Sequence, residues 1–289
     1  MGSFNEASKT LYIAQSSLSA SVKSLEAELN IKIFERSNNG VCLTSDGAEF
    51  VKYASQIIEQ NNFILEKYKY GNNCPKLYIA TQHYDFVADI FGKMLNSVTD
   101  DSYKISLIET KTYNVINEVE NGYCDIGIIA IKNTDIDIMK RILLNKKLNF
   151  TSVLKTTPHV FVRKEHPVCN HNTLTYTDLV KYPFVSYEQG KHNISFFTEE
   201  IMENSDIKKH IEISDRASLM NVLLTTDSYT IGTGIMPSTL NEGKIISIPL
   251  KSDSYYNIGY ILHTDRKCSD LTAYFIKMLE ELVVKEPKV

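Results

Sequence analysis

The architecture of this chain turns on GSFNEASKTLYIAQSSLSASVKSLEAELNIKIFERSNNGVCLTSDG, Gly2–Gly47. Within it Leu18, Val22, Leu25 and Leu29 recur at steps of four, three and four, one stripe of a helix predicted over Ile13–Asn30. Opposite that stripe lie Ser16, Ala20, Lys23 and Ala27, a small polar face that lets a helix approach another surface closely. Upstream, Ser3 and Glu6 stand at capping-box spacing, so a helix begins at Phe4 with Phe4, Ala7 and Leu11 facing inward. A short link, Tyr12–Gln15, joins the two helices. That is a helix-turn-helix arrangement, and on spacing alone an ordinary helical hairpin fits equally well. Ile31–Phe34 and Val41–Leu43 are β-prone and flank the turn signal Asn38-Asn39-Gly40. A hairpin in that place is a wing, with Arg36 at its base.

Thr44, Ser45 and Asp46 offer caps for a long helix running to about Tyr70. Phe50, Ala54, Ile57, Asn61, Ile64 and Tyr68 follow heptad spacing along it. Such a seam suits a dimer better than packing on its own domain, because little chain nearby is left to cover it. YGNNCPK (70–76) groups Gly, Asn and Pro and reads as a linker. Beyond it the texture changes to β-α-β-α-β: strands at 77–80, 104–109 and 125–131, helices near 86–97 and 113–121. This predicts a largely parallel sheet. A second set follows, with strands at 159–162, 184–187, 229–235, 245–250 and 257–263. Helices are expected at 194–204 and 219–225, and a last one at 269–284. The chain is therefore α/β after the linker, in two lobes without an internal repeat.

Composition narrows the function classes. At 289 residues, two or three domains are expected. Net charge is −4, so any nucleic-acid contact must come from a local patch. Met1–Tyr70 is no richer: Lys9, Lys23, Lys32, Arg36, Lys52, Lys67 and Lys69 are matched by Glu6, Glu26, Glu28, Glu35, Asp46, Glu49, Glu59 and Glu66. Five scattered cysteines without a C-x-x-C pair predict free thiols in a reducing compartment, with neither disulfides nor a zinc site. There is no basic-then-apolar leader and no membrane-length apolar run, so a cytoplasmic protein that avoids the membrane is expected.

Catalytic signatures are missing. There is no G-x-S-x-G, P-loop or H-E-x-x-H, and the seven histidines show no metal-ligand pairing. No catalytic residue, metal or cofactor is therefore assigned. Binding chemistry is better supported, because ligands of open α/β lobes sit outside the carboxyl ends of strands. Thr81, Gln82 and His83 follow the strand at 77–80. Thr112, placed to cap the next helix, follows the strand at 104–109, and Ser186 and Glu188 stand at the end of the strand at 184–187. Thr233 lies between Gly232 and Gly234, which permit close backbone approach. Each alone is an ordinary capping residue. Their recurrence in both lobes suits a small polar or anionic ligand in the cleft between them.

With these residues laid out, the chain resembles a LysR-type transcriptional regulator over nearly its whole length. The pattern SF..AA..L..SQ..LS..I..LE..L...LF.R......LT..G is carried by Ser3, Phe4, Ala7, Leu11, Gln15, Leu18, Ser19, Val22, Leu25, Glu26, Leu29, Phe34, Arg36, Leu43, Thr44 and Gly47. NGYCDIGII (121–129), EHPV (165–168) and LTYTDLVKYPFV (174–185) resemble its later motifs. The resemblance implies a winged helix-turn-helix over 1–47 and a dimerising linker helix and hinge over 48–75. It also implies a two-lobed, periplasmic-binding-protein-like effector domain, with lobe I as 76–158 plus 264–289 and lobe II as 159–263, the first lobe being closed by the last strand and helix. The family starts one helix earlier than this sequence, so its first helix is expected to be missing.

The surface approached by the polar helix face would then be the DNA major groove. Ser16, Ser17 and Ser19 would lie at the entering end, Gln15 on a base and Lys23 on phosphate, with Arg36 and Thr44 on backbone beside the wing. Ser16, Ala20 and Asn39 stand where family members often carry Pro, a basic residue and a wing Arg, which predicts a weaker salt dependence. The implied partners are operator DNA, a small-molecule effector and a second copy of the chain, in a homodimer or homotetramer. A dimeric ligand sensor that has lost its own grip on DNA is the alternative. An enzyme using the cleft is the third reading.

Overall fold

The structure is a computed structural model that describes residues 3–37, 40–69, 74–190, 195–201, 207–237 and 243–285. The chain divides into two units, Met1–Cys74 and Pro75–Val289.

In the first unit α1 (Phe4–Thr10) starts where Ser3 Oγ accepts the Glu6 N–H at 3.1 Å, as the capping spacing requires. Its inner face differs from the expected one. Phe4 packs edge-on against Phe34 with ring centroids 5.5 Å apart, and Ser8, one turn on, is buried with its hydroxyl on the Asn5 carbonyl. Ala7 and Leu11 are exposed, so the inner line of α1 runs through Phe4 and Ser8 instead. In α2 (Gln15–Leu29), Leu18, Val22 and Leu25 are half-buried as one stripe, while Leu29 is exposed.

Asn30 ends α2 at φ 52°, a left-handed conformation that Asn tolerates. The Glu26 carboxylate then accepts the Ile33 and Phe34 N–H groups at 2.8 and 3.1 Å. Those bonds set the entry to β1 (Phe34–Ser37), which starts three residues after the Ile31 expected from β propensity. β1 pairs antiparallel with β2 (Gly40–Leu43), from Phe34 opposite Leu43 to Ser37 opposite Gly40. The expected turn residues Asn38 and Asn39 lie outside the described residues. Thr44 caps α3 (Ser45–Lys69) by accepting the Gly47 N–H at 2.8 Å. Gly47 itself lies so close to the strand entry that a Cβ there would stand 2.0 Å from the Ile33 carbonyl oxygen. Along α3, Phe50 and Ala54 are half-buried, and Ile57, Asn61 and Ile64 are exposed. The side chain of Tyr68 lies outside the described residues.

The second unit opens with β3 (Lys76–Thr81), α4 (Asp85–Leu95), β4 (Lys104–Glu109), α5 (Thr112–Glu120) and β5 (Ile126–Lys132). α6 (Ile136–Asn145), β6 (Leu148–Thr156) and β7 (His159–Arg163) follow, then the single turn α7 (Tyr176–Leu179), β8 (Phe184–Tyr187) and β9 (His210–Ile213). The chain continues through α8 (Arg216–Thr225), β10 (Thr230–Gly232), β11 (Ile245–Pro249), β12 (Tyr256–His263) and α9 (Asp270–Lys285). The first lobe is a five-stranded sheet in the order β4-β3-β5-β12-β6. β3 runs parallel to β4 and β5, while β12 runs antiparallel to β5 and β6, so the sheet is mixed and not largely parallel.

Alternation decides the layers of this lobe. Leu77, Ile79, Ile126 and Ile128 face one cluster with Phe86, Ile90, Phe275 and Leu279 from α4 and α9. Ala80, Ile129 and Ile131 face another with Val115, Ile116, Met139 and Leu143 from α5 and α6. The second lobe pairs β7 antiparallel with both β10 and β11, and β8 parallel with β9, linked by a bridge from Phe184 to Tyr229.

β12 lies between β5 and β6, so the lobe boundary expected at 263 falls at the wrong end of that strand: the chain returns to the first lobe by Tyr256. The elements β6, β9 and α6 were not anticipated. The helix expected over 194–204 is absent among the described residues of that stretch, where Ser195–Phe197 form a 3-10 turn. A helix is defeated there because Thr198, Glu199 and Glu200, consecutive in sequence, all bond to groups outside the segment.

Candidate functional site

Two surfaces carry the polar residues singled out by sequence. The first is the start of α2. Gln15, Ser16 and Ser17 are exposed, and so is Lys23 two turns on; Ser19 is half-buried. Ala14 supplies no side-chain cap, and the first intrahelical bond runs from the Leu18 N–H to the Ala14 carbonyl. An uncapped N-terminal turn presents outward N–H groups and the positive end of the helix dipole. Thr44 has a different job. Its hydroxyl donates to the Lys32 carbonyl and accepts from the Gly47 N–H, so its proton is committed inside the unit. The Arg36 side chain lies outside the described residues.

The second surface is the cleft between the two lobes of Pro75–Val289. It holds a cavity of about 40 Å³ bordered by His83, Tyr187, Glu199, Glu200 and Thr233 among others. His83 follows β3. Its backbone N–H donates to Glu199 Oε2 at 3.0 Å, its Nδ1 lies 2.9 Å from Glu199 Oε1, and its ring stacks on Tyr187 with centroids 4.0 Å apart. Burial works against the imidazolium, but the Glu199 hydrogen bond and charge outweigh it and raise the His83 pKa above its ordinary value.

Glu200 accepts the Tyr187 N–H at 2.8 Å. Burial, reinforced by the neighbouring Glu199 charge, pushes its pKa up to about 8. The same strap, 195–201, ties the second lobe to the first. Phe197 enters the cluster of α5 and α6, Ile201 enters that of α4 and α9, and the Ile201 N–H donates to the Tyr256 hydroxyl at 2.9 Å.

Arg216, the first residue of α8, closes the mouth of the cleft. It pairs with Asp85, and its Nη2 and Nε meet the two Glu109 oxygens at 2.7 and 3.2 Å, a fork on carboxylates of the opposite lobe. Lys111 and Glu188 form a second interlobe pair. Outside Arg216 lies a groove of about 600 Å³ that shares Asp85 and Met220 with the inner cavity.

Of the expected ligand residues, the structure brings His83 and Thr233 together on the cavity wall. Gln82 and Thr112 are buried behind it as supports. Gln82 Nε2 donates to Thr112 Oγ1, Gln82 Oε1 accepts from the Tyr84 hydroxyl and the Ala130 N–H, each at 2.7 Å, and Thr112 donates to the Phe197 carbonyl at 2.8 Å. Thr112 is thus no cap; that position belongs to Lys111. Thr81 is fully buried, with its hydroxyl unpartnered. Ser186 lies elsewhere, bonded to His210 Nε2 at 2.7 Å, and Glu188 is spent on Lys111. Sequence reasoning passed over Asp85, Tyr187, Glu199, Glu200 and Arg216. Adjacent acids such as Glu199-Glu200 read as a solvated stretch, and only their tertiary partners make them buried.

Both units have counterparts among known proteins. Residues 1–48 match the bacterial regulatory helix-turn-helix protein, lysR family, and residues 101–283 match the LysR substrate binding domain. The chain belongs to the LysR family. Like its relatives, this LysR-type protein is a DNA-binding transcriptional regulator with an effector-binding domain. The helix-turn-helix match favours that reading over a ligand sensor without DNA binding. It is 23% identical over 247 residues to a probable RuBisCO transcriptional regulator of Phaeodactylum tricornutum, covering 84% of this chain and 78% of that one. The fold is similar to that of full-length CbnR in complex with its target DNA, with TM-score 0.60 and 15% identity over 96% of this chain and 93% of that one. It is also similar to HinK, a LysR family regulator from Pseudomonas aeruginosa, with TM-score 0.51 and 16% identity over 98% and 94% of the two chains. Among the described residues no helix is long and apolar enough to cross a membrane, and no group of His, Cys, Asp and Glu is arranged to hold a metal ion.

Proposed function

We propose that this LysR-type regulator reads an operator with the N-terminal turn of α2, as a cytoplasmic, non-enzymatic homodimer or homotetramer joined through α3. Gln15, Ser16, Ser17 and Ser19 face base edges, while Lys23 and Arg36 meet phosphate. The observation that carries this is the exposed, hydroxyl-rich, uncapped start of α2. Thr44 serves as the cap that positions the wing and contributes little to DNA directly. A small polar metabolite bound between the lobes biases their arrangement and, through it, the spacing of the two reading helices. The cavity wall supports a polar ligand more than an anionic one, since Asp85, Glu199 and Glu200 border it.

Fluorescence anisotropy on labelled DNA from upstream of its own gene, across a salt series, tests this reading. Specific, salt-sensitive binding that weakens in Lys23→Ala supports it. Absence of specific binding at every salt concentration returns the ligand-sensing module as the better account.

A further inference from the structure

The inner cavity holds an imbalance of charge. Of the carboxylates that border it, Asp85 is taken by Arg216 and Glu199 by His83. Glu200 is only 3% exposed and accepts the Tyr187 N–H, yet among the described residues no Lys, Arg or His comes within ion-pair distance of it. Lys132 acts on it only from farther off, with its own Nζ on Thr198 at 2.8 Å. A second group, Gln189, neighbours Glu199 without itself bordering the cavity. Gln189 is 4% exposed, its amide nitrogen lies 3.4 Å from Glu199 Oε1, and its carbonyl oxygen has no hydrogen-bond partner. Reversing the amide would set oxygen against carboxylate, so the unmet acceptor is real. The rest of the wall is mostly aromatic and apolar, with Tyr84, Tyr187 and Phe161 beside the hydroxyl residues Thr230 and Thr233.

A buried carboxylate without a cation, set in the wall of a cavity beside aromatic rings, forms the complement of an ammonium group. We infer that the interlobe site takes a small aliphatic amine in its ammonium form, seated against Glu199, Glu200 and the Tyr187 ring. This rests on the reading of the cleft as the effector site and names the class of effector. The volume, about 40 Å³, accommodates roughly three non-hydrogen atoms at about 10–15 Å³ for each water-sized occupant. A longer amine extends past Met220 and Asp85 into the outer groove.

A proton on Glu200 offsets the charge imbalance of the cleft. Glu200, facing Glu199 on the strap, Lys132 at the end of β5, and Tyr84 and Tyr256 from the first lobe, stays protonated to about pH 8. Ammonium entry at neutral pH therefore releases that proton to solvent.

Calorimetric titration of the full chain with ethylammonium, ethanol, acetate and tetramethylammonium tests the inference. The four probes are a fitting cation, its neutral isostere, an anion and an oversized cation. Expected are saturable binding of ethylammonium alone, a heat that varies with the ionisation enthalpy of the buffer, and affinity lower by about tenfold or more in Glu200→Gln. Binding of acetate but not ethylammonium overturns the inference. So does equal binding of tetramethylammonium, unchanged affinity in a folded Glu200→Gln, or silence from every probe. Should that variant fail to fold, the probe series on the unaltered chain still decides. Anisotropy on DNA in parallel separates the two readings: intact DNA binding without amine binding sinks this inference alone, whereas loss of specific DNA binding sinks the regulator reading whatever the amine does.

Discussion

Glu26 shows how much one side chain does in the first unit. It belongs to the stripe-bearing helix, yet its carboxylate takes the two N–H groups that lead into the wing, and those bonds hold its pKa below the ordinary value of 4.5. A depressed carboxylate contributes stability above its ordinary pKa and loses it as pH falls through the folded one. Melting of the first unit is therefore expected to drop below about pH 4.5, and Glu26→Gln should melt lower at pH 7 with a flatter acid limb. Circular dichroism melts across that range check it; equal acid limbs would remove Glu26 from the account.

The cleft carries the opposite sign. His83 and Glu200 are both raised, so their contribution is fullest at low pH and fades as pH climbs through the folded values, about 8 for Glu200. The second unit should lose stability between about pH 5 and 8, and Glu200→Gln should lessen that fall. None of these roles is legible from spacing. Glu26 is visible only as a match to a family pattern, and Glu199 and Glu200 gain theirs from residues such as His83, 116 positions away.

At the scale of elements, the sequence speaks where periodicity is local. β3 and β5 alternate between two apolar clusters and were readable for that reason, and the caps at Ser3 and Thr44 fall where their side chains predict. β12 was readable as a strand from its pattern, but its place in the first sheet followed from the family resemblance alone, since an apolar strand fits either sheet and only pairing chooses. The strap at 195–201 was misread as a helix because its order comes from bonds to distant residues.

α3 leaves Ile57 68% and Ile64 53% exposed on the heptad seam. Ile57→Lys is accordingly expected to shift the assembly toward monomer in sedimentation velocity, by placing an unpaired charge at a core position. α8 supplies the other element-scale test. Arg216→Met leaves Asp85 and Glu109 facing each other without their cation and should cost the second unit about 2–4 kcal/mol in denaturant unfolding. Asp85→Asn in the same chain should restore part of that loss, and additive effects of the two changes would argue against a shared clasp.

For the whole molecule, charge sets the expectation for DNA. Lys23 is the exposed cation on the reading face of α2, and Ala20 offers none. The slope of log affinity against log salt should therefore be shallow, with Lys23→Ala reducing it by about one further unit. A steep slope unaffected by that change would put the phosphate contacts elsewhere. The path of the chain through its second unit has a further consequence. Thr156 and Tyr256 face each other across one ladder, so the polypeptide leaves the first sheet and re-enters it at the same place, after building the other lobe in between. During synthesis the ribosome delivers β5 and β6 long before the strand that must fill the gap between them. Until β12 emerges, two apolar edges stand open on the nascent chain, the condition under which chaperones are recruited and misfolding begins. A chain terminated inside the second lobe would thus forfeit the first lobe as well.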